Sequence, residues 1–388
     1  MKKLLEFITR HIIMSENTIN KIDLYTGPEI FGQPTLWETT YNLIKEEKSK
    51  IENFLLPLLE KQNLKIILTG AGSSAFIGEA AQGLVQKATK RSTQAIATTD
   101  IVTHPELFLL KNNPTLLVSF ARSGNSPESV ETVNLANTHC DDIYHLIITC
   151  NKDGKLAKYG EENTDNSCSL VLPEASNDKS LAMTGSFTSM LLSILLVSDI
   201  QNINEKEASV KEVSSQGSFV LENNNALAEL TSTPFERVVF LGSGPMLGVA
   251  RESHLKLQEL TDGQVICKHD SFLGFRHGPR AVVNEKTLVV YLFATDEHVL
   301  KYEKDLVKDI ATDPRNIKTI AYGDIDGVES DLTIKNNTNT DLHIVAATVV
   351  GQLLGYNKSL QLGLNPDNPS VSGSISRVVQ GVNIYKNS

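Results

Sequence analysis

Short apolar runs alternate with longer amphipathic stretches through the first half of the chain. The apolar runs predict buried strands at 64–69, 93–98, 115–120, 144–149 and 168–172. Helical spacing of the apolar positions predicts helices near 74–88, 126–137 and 181–200. Because the strands are apolar throughout instead of alternating with polar residues, they favour a parallel sheet that helices cover on both faces.

The second half of the chain repeats this pattern. Strands are predicted at 237–241, 263–267, 287–293, 316–321 and 331–335, and helices at 246–260, 297–312 and 341–356. A glycine-rich turn follows the first strand of each half, Gly70-Ala71-Gly72-Ser73 in one and Gly242-Ser243-Gly244-Pro245 in the other. Repeated βαβ units with matching first turns predict an α/β protein of two doubly wound, flavodoxin-like domains with parallel sheets.

The predicted domain bounds follow from where the pattern changes. Residues 1–45 are expected to form an N-terminal arm and helix, 46–205 the first domain and 215–388 the second. A broken apolar face from 35 to 59 predicts helix before the first strand. A polar helical stretch from 201 to 225 is expected to connect the two halves.

The charge of the chain argues against one class of partner. The 388 residues carry a formal net charge of −10, and the 40% hydrophobic and 21% charged content is ordinary for a globular protein. That charge disfavours nucleic acid as the main partner, but not a small anion held by a few local donors. No Cys-x-x-Cys or His-x-x-x-His spacing occurs, so we expect no metal and no other cofactor.

The cysteines and the N-terminus predict the compartment. The four cysteines are spread along the chain and are typical of buried thiols in a reducing, cytoplasmic protein. Glu6, Arg10 and His11 interrupt the basic and apolar start of the chain. We therefore expect an amphipathic arm there, and neither a signal peptide nor a membrane span. Whether translation starts at Met1 or Met14 stays open.

Two loops of similar design follow neighbouring strands of the first half. The strand 115–120 leads into Arg122-Ser123-Gly124-Asn125-Ser126, where Ser126 suits a helix N-cap and Pro127 the first helical position. Gly70-Ala71-Gly72-Ser73-Ser74 follows the strand 64–69. Hydroxyl groups at positive helix ends predict a phosphate site, although ordinary turn-rich loops are the alternative. No Walker pattern is present, so a nucleoside triphosphate is not expected.

Candidate acid–base residues lie in the second half. Lys256 and Glu259 are three residues apart on the predicted helix 246–260 and therefore share a face. His277 lies in a loop before Gly278-Pro279, which favours an exposed imidazole. A solvated ion pair for the first two residues and a structural role for His277 are the alternatives at this point.

The two loops resemble the SIS, or sugar isomerase, family over about residues 45–388. The segment from Phe120 to Glu128 is similar to its Ser-x-Ser-Gly-x-Ser/Thr phosphate signature, with Ala121 where many members carry serine. The resemblance implies tandem flavodoxin-like domains and a sugar-phosphate ligand. It implies that the phosphate is bound by Ser73, Ser74, Arg122, Ser123 and Ser126.

The acid–base segments resemble those of the isomerase domain of glucosamine-6-phosphate synthase. Leu255-Lys256-Leu257-Gln258-Glu259-Leu260 is similar to its Leu-Lys-x-x-Glu helix, and Arg276-His277-Gly278-Pro279 to its His-Gly-Pro loop. The resemblance implies that Glu259 moves the proton between C1 and C2, with Lys256 as a further site residue. It also implies that His277 assists ring opening, often across a subunit boundary, and hence a homodimer or higher oligomer.

Two further segments resemble the parts of this family that close over the sugar. The turn around Thr184 is similar to the Ala-x-Thr-x-x-Phe turn, with a capped helix start as the alternative or additional reading. The tail from Asn365-Pro366-Asp367-Asn368-Pro369 to Tyr385 is similar to the C-terminal lid. Gln380 stands where the synthase has a lysine, so covalent capture of the sugar is not implied, and Arg377 is a weak substitute.

These motifs are most similar to one branch of the family, the tagatose-6-phosphate ketose/aldose isomerases and galactosamine-6-phosphate deaminases. The branch implies conversion of galactosamine 6-phosphate to tagatose 6-phosphate and ammonia. Plain aldose–ketose isomerisation and a non-catalytic sugar-phosphate sensor are the alternatives. The configuration of the sugar at C4 stays open.

Overall fold

Two five-stranded parallel sheets form the frame of the molecule. The computed structural model describes residues 25–379 and 381–385. The first sheet has the order β2-β1-β3-β4-β5, and the second has the equivalent order β7-β6-β8-β9-β10. The strands are β1 Lys65–Thr69, β2 Ser92–Ala95, β3 Thr115–Ala121, β4 Ile143–Thr149, β5 Ser167–Val171, β6 Arg237–Gly242, β7 Ile266–Asp270, β8 Thr287–Leu292, β9 Lys318–Tyr322 and β10 Leu332–Ile334. Both orders are flavodoxin-like, which confirms the predicted fold class.

Helices cover both sheets and also precede the first strand. They are α1 Thr26–Phe31, α2 Gln33–Glu46, α3 Lys48–Leu59, α4 Ser73–Thr89, α5 Thr98–Thr103, α6 Pro105–Phe108, α7 Pro127–His139, α8 Lys155–Glu162, α9 Gly185–Val197, α10 Lys206–Glu222, α11 Asn224–Ser232, α12 Pro245–Leu260, α13 Phe272–Phe275, α14 Glu297–Ala311 and α15 His343–Gln361. The helix predicted over 35–59 is two helices that meet at Glu47. The short helices α5, α6 and α8 were not predicted.

One strand of the second sheet begins later than predicted. The apolar pattern placed it at 263–267, but β7 spans Ile266–Asp270. The backbone of Asp262 and Gly263 is left-handed, with φ values of 49° and 71°. Their N–H groups donate to carbonyls of Glu259 and Gln258 in the last turn of α12. The helix therefore ends in a tight turn that occupies the residues assigned to the strand.

The two halves share their largest hydrophobic cluster, which contains residues of both sheets, such as Leu68 and Leu288. Helix α4 of the first half and α12 of the second cross closely at Gly248. A Cβ on Gly248 would lie 2.3 Å from the backbone nitrogen of Ala80, so only glycine allows this approach. The helices that carry the predicted loops and acid–base residues are thereby fixed against each other. The domain bounds themselves stay a prediction.

Helix α9 is buried along its whole length. No single helix within residues 25–379 and 381–385 is long and apolar enough to cross a membrane. The segments Gly185–Val197 and Ile200–Glu222, bent by 114°, reach that length and composition only as a pair. Cys140, Cys150 and Cys168 are buried free thiols, as predicted, whereas the free thiol of Cys267 is only half-buried.

The buried histidine of β4 should make the fold sensitive to acid. His145 is fully buried, its Nε2 lies 2.9 Å from Asn137 Oδ1, and burial lowers its pKa to about 4. Between that value and the ordinary pKa of about 6.5, the unfolded chain binds a proton that the folded chain does not, so stability falls as the pH falls. As the pH falls from about 7.5 to about 5, the free energy of unfolding should decrease in both proteins. Urea denaturation should show a decrease about 2 kcal/mol smaller in His145→Gln than in the wild type. Parallel losses in the two proteins would contradict this assignment.

Candidate active site

The two serine-rich loops lie at the carboxyl ends of adjacent strands, because β1 pairs with β3 in register from Lys65 to Thr69. The edge between these strands is where the order of the sheet reverses, and doubly wound domains bind ligands at that edge. In the first loop a Cβ on Gly70 would lie 2.5 Å from the carbonyl carbon of Ser74. The φ of Gly72 is 57°. Both glycines are therefore required for the turn that starts α4 at Ser73.

The hydroxyl groups of the first loop point to protein partners. Ser73 and Ser74 are each 5% exposed. Ser73 Oγ donates to Glu252 Oε1 at 3.0 Å, and Ser74 Oγ lies 3.8 Å from Met183 Sδ. Ser73 therefore joins the first loop to helix α12 of the second domain. Phosphate binding by these two serines stays a prediction.

The second loop keeps its hydroxyl groups half-exposed. Helix α7 begins at Pro127, and Ser126 stands in an extended conformation before it, as predicted. Ser126 Oγ donates to Ser129 Oγ at 2.6 Å, and Ser123 Oγ accepts from the N–H of Asn125. The side chain of Ser126 makes no capping hydrogen bond to the helix. Ser123 and Ser126 thus lie at a positive helix end that suits an anion.

Arg122 binds the backbone of other chain segments. Its side chain is buried, with 7% exposed, and its Nη1 donates to the carbonyls of Ser180, Leu181 and Ala182 at 3.1–3.5 Å. Its Nη2 donates to the carbonyl of Arg377 at 2.6 Å. Burial lowers the pKa of Arg122, while Asp178 and Glu259 act in the opposite direction. The guanidinium therefore holds other chain segments at the phosphate loop, and phosphate binding by Arg122 stays a prediction.

Helix α12 presents three charged residues in one row. Glu252, Lys256 and Glu259 are spaced i, i+4 and i+7, which places them on one face. Lys256 Nζ donates to Glu259 Oε2 at 2.5 Å and lies 3.5 Å from Glu252 Oε1. The side chains of Lys256 and Glu252 are 1% and 0% exposed, whereas that of Glu259 is 22% exposed. The alternative of a solvated ion pair is wrong for Lys256, and Glu259 is the member of the row that a ligand can reach.

Burial and charge act together on this row. Burial raises the pKa of Glu252 to about 8, although Lys256 opposes the shift. Burial alone would lower the pKa of Lys256, but the two carboxylates outweigh it and raise that pKa. Glu252 Oε2 is buried and makes no hydrogen bond with the described residues. The site therefore contains a firmly protonated ammonium group and a carboxyl group that readily holds a proton.

His277 lies on an anchored loop and is exposed. Phe272 and Phe275 of α13 are fully buried in the second domain, and Arg276 forms an ion pair with Asp309. The φ of Gly278 is 117°, so the turn after the histidine needs glycine. The imidazole makes no hydrogen bond with the described part of the chain. No hydrogen bond or ion pair joins His277 to Glu259 among the described residues, and the role of His277 stays a prediction.

The turn around Thr184 forms a capped helix start, which was the alternative or additional reading of this segment. Thr184 is fully buried, and its Oγ1 and backbone N–H donate to the carboxylate of Asp178 at 3.0 and 2.7 Å. Gly185 and Ser186 donate to the same carboxylate. Asp178 therefore occupies the positive end of α9, and contact of Thr184 with the sugar stays a prediction. Gln380 lies outside the described residues.

Sequence reasoning missed Glu252 and Asp178, and it named Arg377 only as a weak substitute for a lysine. Glu252 stands four residues before Lys256, so helical spacing would have added it to the row. Asp178 lies six residues before Thr184, outside any helical spacing, and the partners of Arg377 lie about 200 residues away along the chain. No group of three or more His, Cys, Asp or Glu side chains in the described chain is arranged to hold a metal ion.

Comparison with known proteins assigns this chain to one family. The SIS domain model matches residues 58–198, and the chain belongs to this family. It is 40% identical over 366 residues to D-galactosamine-6-phosphate deaminase AgaS of Shewanella sp. (strain ANA-3), covering 93% of this chain and 92% of the relative. The family predicted from the two loops is thereby confirmed.

Solved structures agree with this assignment. Tagatose-6-phosphate ketose/aldose isomerase from Escherichia coli superposes with a TM-score of 0.86 at 36% identity, over 93% of this chain and 96% of that one. A candidate tagatose-6-phosphate ketose/aldose isomerase from Clostridium novyi NT reaches a TM-score of 0.89 at 41% identity, over 93% and 95%. Both names of the predicted branch thus occur among the relatives of this chain.

Proposed function

We propose that this protein is an amino-sugar phosphate deaminase/isomerase that converts galactosamine 6-phosphate to tagatose 6-phosphate and ammonia. The row Glu252–Lys256–Glu259 carries the proposal, because it places one accessible carboxylate beside a buried ammonium group. The 40% identity to a D-galactosamine-6-phosphate deaminase over 93% of the chain supports the choice of substrate.

The phosphate group is held by the two loops of the first domain. Ser123, Ser126 and the first turn of α7 supply hydroxyl and N–H donors at the edge of the sheet. Ser73, Ser74 and Arg122 complete the pocket, with Ser73 reaching Glu252. The phosphate thereby anchors the sugar, and its C1 and C2 atoms extend toward Glu259.

The chemistry is a proton transfer followed by hydrolysis. In the open-chain aldehyde, Glu259 removes the proton from C2, the electron pair forms a C1–C2 double bond, and the C1=O double bond opens as O1 takes up a proton from water, which gives an enolamine. Glu259 returns its proton to C1 while the nitrogen gives up a proton to water, and the C2–N bond becomes the double bond of a ketimine. Addition of one water molecule and loss of ammonia then leave the ketone of tagatose 6-phosphate. Lys256 orients the carboxyl group of Glu259 through its hydrogen bond to Oε2.

His277 opens the sugar ring from a neighbouring subunit. Its imidazole is exposed, has no hydrogen-bond partner in the described chain and lies on an anchored loop. A two-fold homodimer would bring such a loop to the site of the partner. We therefore propose a cytoplasmic homodimer, or a higher oligomer with the same contact.

The names of the structural relatives favour a second candidate function. For a sugar with a hydroxyl group at C2, the same proton transfer interconverts galactose 6-phosphate and tagatose 6-phosphate without hydrolysis. The similarity to tagatose-6-phosphate ketose/aldose isomerases at 36% and 41% identity supports this alternative.

Ammonia release from galactosamine 6-phosphate separates these functions. Glucosamine 6-phosphate and tagatose 6-phosphate are tested in parallel. We expect ammonia from the galacto sugar and much less from its C4 epimer. Interconversion of the tagatose and galactose phosphates without ammonia would favour the isomerase. Binding of these sugars without turnover would indicate a sugar-phosphate sensor and refute both catalytic functions.

A further inference from the structure

The segment from Ser370 to Val379, here called the C-terminal strap, leaves the body of the protein and returns to it. Ser370 is buried, residues 371–376 are all exposed, and Arg377 and Val378 are half-buried again. The N–H of Val371 donates to Asp262 Oδ2 at 3.2 Å, three residues beyond Glu259. The strap therefore connects the end of the acid–base helix to the place where Arg377 docks.

Arg377 docks on the phosphate loop of the first domain. Its carbonyl oxygen accepts from Arg122 Nη2 at 2.6 Å, while Nη1 of the same arginine holds the carbonyls of residues 180–182. Arg122 Nε–H and the second N–H of Nη2 make no hydrogen bond with the described residues. Arg122 can therefore hold the strap and still direct a donor at an anion on its own loop.

The side chain of Arg377 adds further hydrogen bonds where the strap docks. Its Nε donates to the carbonyl of Asp178 at 2.9 Å, and its Nη2 donates to Asn177 Oδ1 at 3.0 Å. The carboxylate of Asp178 is fixed by the N-terminal turn of α9. Each of the two arginines thus uses its guanidinium group to bind the backbone of another segment. The fixed carboxylate of Asp178 holds the segment to which Arg377 binds.

The rest of the strap adds little apolar packing. Val371, Ile375 and Val379 are 77%, 40% and 55% exposed. With so little buried apolar surface, the seated position depends mainly on the polar contacts at its two ends. Segments of this kind open at a small fraction of the global unfolding free energy.

We propose that Arg122 is a positioning residue that couples occupancy of the phosphate loop to the seating of the C-terminal strap over the site. This proposal rests on the proposed sugar-phosphate site. An anion on the loop fixes Arg122, and the fixed guanidinium group holds the carbonyl of Arg377. Because coupling is reciprocal, a seated strap in turn tightens the binding of the sugar phosphate.

Trypsin cleavage after Arg377 measures whether the strap is seated, because Arg122 binds the carbonyl group of the bond that trypsin cuts. The probe is galactitol 6-phosphate, an alcohol that cannot undergo the proton transfer. We expect saturating probe to slow cleavage after Arg377 at least about fivefold. Cleavage after the exposed Lys111, at the opposite end of β3, is the internal reference and should not change. An unchanged or faster cut after Arg377 would overturn the proposal.

Three variants test the role of the guanidinium group. Arg122→Gln should raise the cleavage rate without probe and reduce the protection to less than about twofold. Arg377→Lys keeps the trypsin site but loses the forked contact with residues 177 and 178, so it should behave similarly. If Arg122→Gln does not fold, Arg377→Lys alone tests whether the docked contact is needed for protection. Arg237→Gln, which loses a guanidinium bond to the Val282 carbonyl in the second domain, should retain full protection. Full protection of the bond after residue 377 in Arg122→Gln or in Arg377→Lys would contradict the proposal.

Kinetics distinguish positioning from a loss of folded protein. In Arg122→Lys we expect kcat to fall and KM to rise together, because the strap no longer closes over bound substrate. A smaller folded fraction would lower the apparent kcat with KM unchanged, and that result would overturn the positioning role. Protection by galactitol 6-phosphate needs no turnover. Protection without ammonia release would therefore support the coupling and refute the deaminase. Ammonia release without protection would support the deaminase and refute the coupling.

Discussion

Replacing Glu259 with glutamine should lower kcat about a thousandfold while changing the affinity for galactitol 6-phosphate less than about threefold. The amide has nearly the shape of the carboxylate but cannot accept the C2 proton. Helix α12 should keep its position, because Glu259 is half-buried and Glu252 still pairs with Lys256. Steady-state ammonia release and calorimetric titration measure the two quantities.

Two results would count against Glu259 as the base. One is turnover within about tenfold of the wild type, which is less than a general base contributes. The other is a parallel loss of turnover and binding, which would indicate a structural role. Glu236→Gln is the matched control, since this exposed glutamate pairs with Lys286 at the amino end of the second sheet. It should leave both quantities unchanged.

The fold could be predicted because each strand is a continuous apolar run followed by a recognisable turn. Gly70 and Gly72 mark the first such turn, and the structure requires both of them. The start of β7 was misplaced because Val265 is apolar and buried although it precedes the strand. Hydrophobicity reports burial and does not by itself distinguish a strand from the turn that leads to it.

The site could be predicted where its residues share one helix. Spacing brought Lys256 and Glu259 together, and the structure pairs them at 2.5 Å. Arg122 was different, because its partners are carbonyl oxygens between 58 and 255 residues away along the chain. Backbone acceptors leave no trace in side-chain patterns. Backbone donors leave no trace either, so nothing around Thr184 reveals that Asp178 already occupies the positive end of α9.

The largest effect on stability should come from Lys256→Met. This change leaves the fully buried Glu252 without its cation, and removing one partner of a buried ion pair costs about 3 kcal/mol or more. The pKa of Glu252, already raised to about 8 by burial, should rise further without Lys256. The folded state then holds a proton that the unfolded chain releases near its ordinary pKa, so stability falls as the pH rises above about 4.5. Urea denaturation should therefore show that Lys256→Met lowers the free energy of unfolding, relative to the wild type, by more at about pH 8.5 than at about pH 6.

The double variant Lys256→Met with Glu252→Gln separates charge from packing. The neutral amide of glutamine needs no counter-ion, so the double variant should regain most of the stability lost at high pH. Its activity should not return, because Glu259 still lacks the ammonium group that orients its carboxylate. A loss in Lys256→Met that does not vary with pH would contradict a proton on Glu252. A double variant as unstable as the single one would mean that the cavity left by Lys256, and not the unpaired carboxylate, is the cause.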